Sequence, residues 1–276
     1  MKIARFWTRA EEEFDGTRVT ARGWSNESVD AARFKAREIA RRVAERVAGG
    51  ATKGRYPYGD RPLPEPVIRE FPGAIVTRNV YGALVLNTDQ LMFVDVDRKE
   101  QPKAASGGGG FLGSLFGKPK APEPAPADDQ IEVIRRVAER HGLSARLYET
   151  AAGYRVIVTS APFKAGTNET EVLLAEFQAD PLYMRLCRLQ ESFRARLTPK
   201  PFRIEYANPP VEFPFETPAD QAKHDRWVAG YDAKSAPFAT CRLMETIGPA
   251  VVLPEFDEMI RFHDHETKAN RPLVLA

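Results

Sequence analysis

An α+β fold is predicted by three features of the 276-residue chain. Between residues 91 and 206 the apolar periodicity runs strand, helix, strand, tight turn, strand, helices, strand. A separate ββα pattern occupies residues 1–50, and residues 207–276 carry mostly helical spacing. The order from 91 to 206 is the split β-α-β pattern doubled, which gives an RRM-like or ferredoxin-like antiparallel sheet with helices on one face. The expected organisation is an N-terminal ββα extension over 1–50, a core over 51–206 and a C-terminal helical segment, 207–276, packed on that core.

Residues 2–8 and 17–24 predict a hairpin around an acidic turn, Glu11 to Gly16. The helix predicted over 27–47 puts Val29, Ala32, Ala36, Ile39, Val43 and Val47 on one stripe, with Asn26 placed to cap it and Gly49-Gly50 to stop it. Its other face mixes six basic residues, Arg33 to Arg46, with Glu27, Asp30, Glu38 and Glu45, the composition of a solvated, salt-bridged surface. Residues 51–73 hold too much Pro and Gly for a helix or central strand. Their Arg55, Tyr56, Tyr58 and Arg61 suit stacking on a base or sugar, and equally suit pinning the loop to the core. Short strands follow at 74–78 and 82–87.

Residues 99–127 contain Gly107 to Gly110 and then Pro119, Pro122, Pro124 and Pro126, which predicts a flexible linker or mobile loop. The stretch lacks a Gly-Lys-Ser/Thr ending and is not a P-loop. Phe111, Leu112, Leu115 and Phe116 form an apolar island in it, suited to docking or to a lid. A capping box, Asp129 with Glu132, opens a helix stopped at Gly142. Strands at 144–150 and 154–159 flank Ala151-Ala152-Gly153. Helices follow at about 169–178 and from Asp180-Pro181, the second carrying Leu182, Leu186, Leu189 and Phe193. A strand at 202–206, a helix at 218–232, a strand at 239–246 and a helix at 255–267 end the chain.

Composition is globular, with 43% hydrophobic and 28% charged residues, and a net charge of +2 leaves any attraction to nucleic acid to local patches. Cys187 and Cys241 sit in apolar segments and read as buried reduced thiols. No leader pattern and no apolar run of about 20 residues appears, so a cytoplasmic protein outside the membrane is expected, its oligomeric state left open.

The strongest chemical signal is the strand Leu91-Met92-Phe93-Val94-Asp95-Val96-Asp97. Alternation places Met92, Val94 and Val96 on one face and Phe93, Asp95 and Asp97 on the other. Two carboxylates two residues apart at the end of a buried strand repel each other and resist desolvation. A cation is expected to neutralise them, either Mg²⁺ or Mn²⁺ or a basic side chain. The same spacing also describes the polar exit of a strand into a loop. In the RRM-like order the strand 154–159 lies antiparallel to this one, so Arg155 shares its open face while Tyr154, Val156 and Val158 pack under the helices. The last strand would flank the first on its other side, with Arg203 and Glu205 on one face. An ordinary ion-paired sheet surface would hold the same residues. Arg194, Arg196, Lys200 and Arg203 lie in a stretch with no acid between them, which fits phosphate contact or pairing with the acidic face. His263 and His265, about 200° apart on a helix, cannot share one metal.

A hydrophobic strand ending in Asp95-x-Asp97, then a helix and a hairpin whose second strand opens Gly153-Tyr154-Arg155, resembles the catalytic core of archaeo-eukaryotic primases and primase-polymerases over about 91–206. The resemblance implies that Asp95 and Asp97 bind Mg²⁺ or Mn²⁺, with Glu205 at the place of a third acid, usually an aspartate. It puts Arg155 where that family has a phosphate-contacting histidine; arginine can hold phosphate but does not replace histidine in proton chemistry. Two functions follow as expectations. One is metal-dependent nucleotidyl or phosphoryl transfer, with Asp95, Asp97 and Arg155 catalytic and Arg194, Arg196, Lys200 and Arg203 on the nucleic-acid backbone. The other is a non-catalytic binding module whose aspartates are salt-bridged to Arg155 or Arg203.

Overall fold

A computed structural model describes residues 1–50, 61–98 and 129–276. The linker and apolar island expected over 99–127, and Arg55, Tyr56 and Tyr58, lie outside the described residues. Strands β1 (Phe6–Phe14) and β2 (Thr17–Ser25) form a hairpin closed by Asp15 and Gly16, both at positive φ. The turn is therefore tighter than the acidic segment expected, and Glu11 to Phe14 belong to β1. Helix α1 (Val29–Ala48) crosses this hairpin on Ala32, Ala36, Ala40 and Ala44, all buried. Its cap is Ser28, whose hydroxyl accepts from the Ala31 N–H, rather than Asn26. The opposite face carries the pairs Arg33–Asp30 and Arg41–Glu45, as a solvated surface should.

The chain continues through β3 (Val67–Phe71), β4 (Ala74–Arg78), β5 (Leu84–Thr88), β6 (Phe93–Asp97), α2 (Asp129–Arg140), β7 (Ala145–Thr150) and β8 (Gly153–Val158). It then forms α3 (Asn168–Glu176), α4 (Pro181–Gln190), β9 (Phe193–Arg196), a 3₁₀ turn (Pro201–Ile204), α5 (Pro218–Ser235), β10 (Phe238–Ala239), β11 (Cys241–Ile247), α6 (Pro254–Thr267) and β12 (Val274–Leu275). Two four-stranded antiparallel sheets result, β3-β4-β5-β9 and β11-β7-β8-β6. The architecture is α+β, and no helix of the described residues is long and apolar enough to cross a membrane.

Three expected elements change. β3 falls inside the stretch read as irregular; it is an edge strand showing three of five side chains to solvent, and pairing with β4 rather than its own pattern makes it a strand. Phe193, expected on the helix of Leu186 and Leu189, starts β9 because α4 ends at Glu191 in the left-handed region. The strand expected at 202–206 is the 3₁₀ turn, with Pro201 setting its first φ and Glu205 left-handed at its end. Ile204 of this turn is buried with Trp227 and Tyr231 of α5.

In the central sheet β8 lies between β7 and β6, as the hairpin reading requires. The strand expected on the outer side of β6 does not form, and the sheet grows instead beyond β7 through β11. Both faces are covered. Val94, Val96, Val156, Val158 and Leu147 share a buried cluster with Ile134, Val137 and Ala138 of α2 and Leu173 and Leu174 of α3. The face expected to be open carries α6, with His263 against Phe93 and Tyr148 at ring distances of 5.7 and 5.1 Å. Phe262 of α6 reaches Phe71 of the other sheet at 4.9 Å. Every residue of β8 is consequently buried. An apolar helix face from beyond residue 206, invisible in the 91–206 pattern, covers that side.

Gly153 opens β8 opposite Asp97, and a Cβ there would lie 2.0 Å from the Val96 carbonyl oxygen and 2.6 Å from the Arg98 nitrogen. Both obstacles are backbone, so the end of β6 would have to move. Gly153→Ala should lower stability by about 1–3 kcal/mol in urea denaturation, the range for overpacking. An unchanged midpoint would show that this approach is not tight.

Candidate functional site

Asp95 and Arg155 are directly opposed across β6 and β8. The Arg155 Nε donates to Asp95 Oδ1 at 2.9 Å, and Nη2 stands 3.5 Å from Oδ2. Arg155 is 1% exposed, whereas the Asp95 side chain keeps 35% of its surface in solvent. Burial alone would lower the guanidinium pKa, but the charge and hydrogen bond of Asp95 hold it above the usual arginine value. Its Nη1 donates to the Arg196 carbonyl of β9 at 2.9 Å, which ties β8 to the second sheet.

The same Nη1 lies 3.4 Å from His263 Nε2, and His263 Nδ1 lies 3.0 Å from Asp264 Oδ1. A guanidinium can only donate and a carboxylate can only accept, so the ring is the neutral Nδ1–H tautomer with Nε2 accepting from Arg155. Asp264 also accepts from the Tyr148 hydroxyl at 2.8 Å and from Arg146 Nη2 at 2.7 Å. A buried polar row thus runs Arg146–Asp264–His263–Arg155–Asp95 across the sheet. Cys241 Sγ sits 4.0 Å from His263 Nε2, and burial pushes its thiol pKa up, which suits an inert thiol.

Asp97, at the solvent end of β6, behaves differently. Burial, Asp180 and Asp95, in that order, raise its pKa, while Lys200 and Arg203 pull it down. Among the described residues no cation reaches its carboxylate within ion-pair distance. Asp180 is held beside β6 by its N–H, which donates to the Asp95 carbonyl at 2.9 Å, and its side chain caps α4 by accepting from the Tyr183 N–H. Facing these acids are Arg196, Lys200 and Arg203. Burial and then Arg155 bring Arg196 down to about 10, and burial with Arg196 and Arg203 lowers Lys200. Arg196 Nε and Arg203 Nη1 are buried without a hydrogen-bond partner. Among the described residues no carboxylate stands within ion-pair distance of these three cations. Their segment is braced from α5, where the Tyr231 hydroxyl lies 2.6 Å from the Pro199 carbonyl and 2.8 Å from the Thr198 hydroxyl.

The structure therefore brings together Asp95, Asp97, Arg155, Arg196, Lys200 and Arg203. Arg194 departs from the expectation: its Nη2 pairs with both oxygens of Glu65 at 2.8 and 3.0 Å, with side chains 8% and 7% exposed, so it is spent inside the protein. Glu205 ends the 3₁₀ turn on exposed chain rather than lying on a strand beside β6. With Asp95 engaged by Arg155, the residues do not make a three-carboxylate metal centre, and among the described residues no group of three His, Cys, Asp or Glu side chains is placed to hold an ion. Asp180, His263 and Asp264 belong to the site and were missed as site residues. Asp180 read only as a helix cap, which it also is. His263 could have been flagged as a histidine on the apolar stripe of Phe256, Met259 and Ile260, where a buried ring must find polar partners.

Set against known proteins, the chain matches no protein-family model, no curated protein and no solved structure.

Burial lowers the His263 pKa, Arg155 acts the same way and Asp264 opposes them. The unfolded chain takes up a proton on this residue near pH 6.5 while the native state resists it. The stability this residue contributes is therefore complete above that pH and is lost as pH falls below it. Between pH 6.5 and 5, wild type should lose up to about 1.4 kcal/mol per pH unit more than His263→Gln in urea denaturation. The two profiles running parallel would contradict a neutral His263.

Proposed function

We propose that this chain is a binding module for a phosphate-bearing ligand, a nucleotide or nucleic acid, on a sheet resembling that of the primases. In this reading the ligand's phosphates lie on Arg196, Lys200 and Arg203, and Asp95 is committed to Arg155 rather than to a metal. The supporting observation is that, among the described residues, no carboxylate stands within ion-pair distance of that segment's three cations. Burial and neighbouring cations lower Arg196 and Lys200, and Arg196 and Arg203 each hold a buried nitrogen with no hydrogen-bond partner. Arg194 and Arg146, by contrast, are ion-paired, with Glu65 and Asp264 respectively. An anion relieves such a cluster, and a phosphate can accept from several donors at once. The strand order β7-β8-β6 and the paired aspartates at the end of β6 support the primase-like part of the reading.

A second reading keeps the metal. Asp97 is raised by both Asp180 and Asp95, so a divalent cation joining Asp97 and Asp180 would relieve repulsion between them. Mg²⁺ is commonly held by one or two carboxylates together with ligand phosphates. This reading makes the protein an enzyme of phosphoryl or nucleotidyl transfer; the first makes it a binder.

Fluorescence anisotropy with a labelled single-stranded oligonucleotide tests the first reading. The Lys200→Ala/Arg203→Ala variant should bind about tenfold or more weakly, and its log–log salt slope should fall by about 0.7 for each phosphate no longer neutralised. Equal binding by variant and wild type, or none by wild type, would overturn it. Calorimetry with Mn²⁺ separates the second: binding by wild type that Asp97→Asn abolishes supports the metal, and no heat from wild type ends it.

A further inference from the structure

We infer that Phe202 is a stacking platform for a base of single-stranded nucleic acid, an inference that rests on the phosphate-binding reading above. Phe202 is 67% exposed, although its neighbours Pro201 and Ile204 on the 3₁₀ turn are buried. The turn is fixed by backbone bonds from the Arg203 N–H to the Lys200 carbonyl and from the Tyr206 N–H to the Pro201 carbonyl, each 2.9 Å. Ile204 anchors it against Trp227 and Tyr231. The ring is thus held out in water by its backbone, and fold stability does not depend on burying it.

Two cations of the phosphate cluster flank this ring. Lys200 Nζ and the Arg203 guanidinium carbon each lie 5.8 Å from its centre. A nucleic-acid strand alternates the two chemistries found here, charged phosphate and planar base. Inorganic phosphate or a phosphosugar would use the cations and leave the ring idle. Two cavities lie elsewhere, one of about 30 Å³ beside Arg78 and His224 and one of about 430 Å³ beside Arg242 and Arg271. Phe202 lines neither cavity and its ring stands exposed beside half-buried cations, which suits a strand laid across it better than an enclosed free nucleotide.

Anisotropy titrations with a labelled thymidylate dodecamer and an abasic dodecamer of equal phosphate number test the inference. Phe202→Ala should weaken thymidylate binding about 5- to 140-fold, the range for removal of one base–aromatic stack, and leave the abasic strand unchanged. Phe202→Trp should retain or tighten thymidylate binding. Wild-type affinity of Phe202→Ala for thymidylate, or an equal loss on both strands, overturns the stacking role while the cation cluster stands. Failure of wild type to bind either strand overturns the phosphate reading beneath it. Competition by free thymidine monophosphate at comparable affinity would overturn the choice of a strand over a nucleotide.

Discussion

A guanidinium buried in the middle of a sheet is the constraint that shapes this protein. Arg155 stands 1% exposed on a strand whose every residue is buried, and its charge cannot be left without partners there. Three elements remote in sequence supply them: the Asp95 carboxylate from β6, the Arg196 carbonyl from β9 and His263 from α6. These contacts fix how the two sheets and the last helix meet. They also commit Asp95, so the Asp-x-Asp tip of β6 ends in two carboxylates with different duties.

That division explains the local electrostatics. Asp95 answers a buried charge, and Asp97 is left at the solvent edge beside Asp180, its pKa raised. Arg196 offers its carbonyl to Arg155, while burial, Arg155 and Arg203 lower the pKa of its own guanidinium. The whole-molecule charge of +2 would attract no polyanion strongly. Any such attraction has to be local, and residues 196–203 bring Arg196, Lys200 and Arg203 together with no acid between them.

Much of this was legible in the letters. Strand order placed Arg155 beside β6 on the face of the aspartates but left Arg155 or Arg203 as their partner; the register that sets Arg155 opposite Asp95 is a property of the folded sheet. Helices lie near all six expected positions, α4 from its Asp180-Pro181 start and α1 with its stop at Gly49, although Ser28 and not Asn26 caps α1. Coverage of the Arg155 face was not legible, since it depends on where α6 docks, and no local pattern encodes a docking partner. The 202–206 stretch misled because Phe202, Ile204 and Tyr206 alternate as in a strand, while Pro201 and packing on α5 impose a turn. Arg194 and Arg196 looked equivalent in sequence. Only the arrival of Glu65, from a stretch read as loop, separates a structural arginine from one facing the site.

Arg155 has to be charged, buried and dependent on Asp95 for any of this to hold. A double-mutant cycle with Asp95→Asn, Arg155→Met and the double variant, read by urea denaturation, tests this most directly. Losing Asp95 alone strands the guanidinium and should cost about 2–4 kcal/mol, toward the lower end because Asp95 is partly solvated. With Arg155 already replaced, the same change should cost far less, giving a coupling of about 2 kcal/mol. Additivity within about 0.5 kcal/mol would contradict the account, since the pair would then hold nothing together.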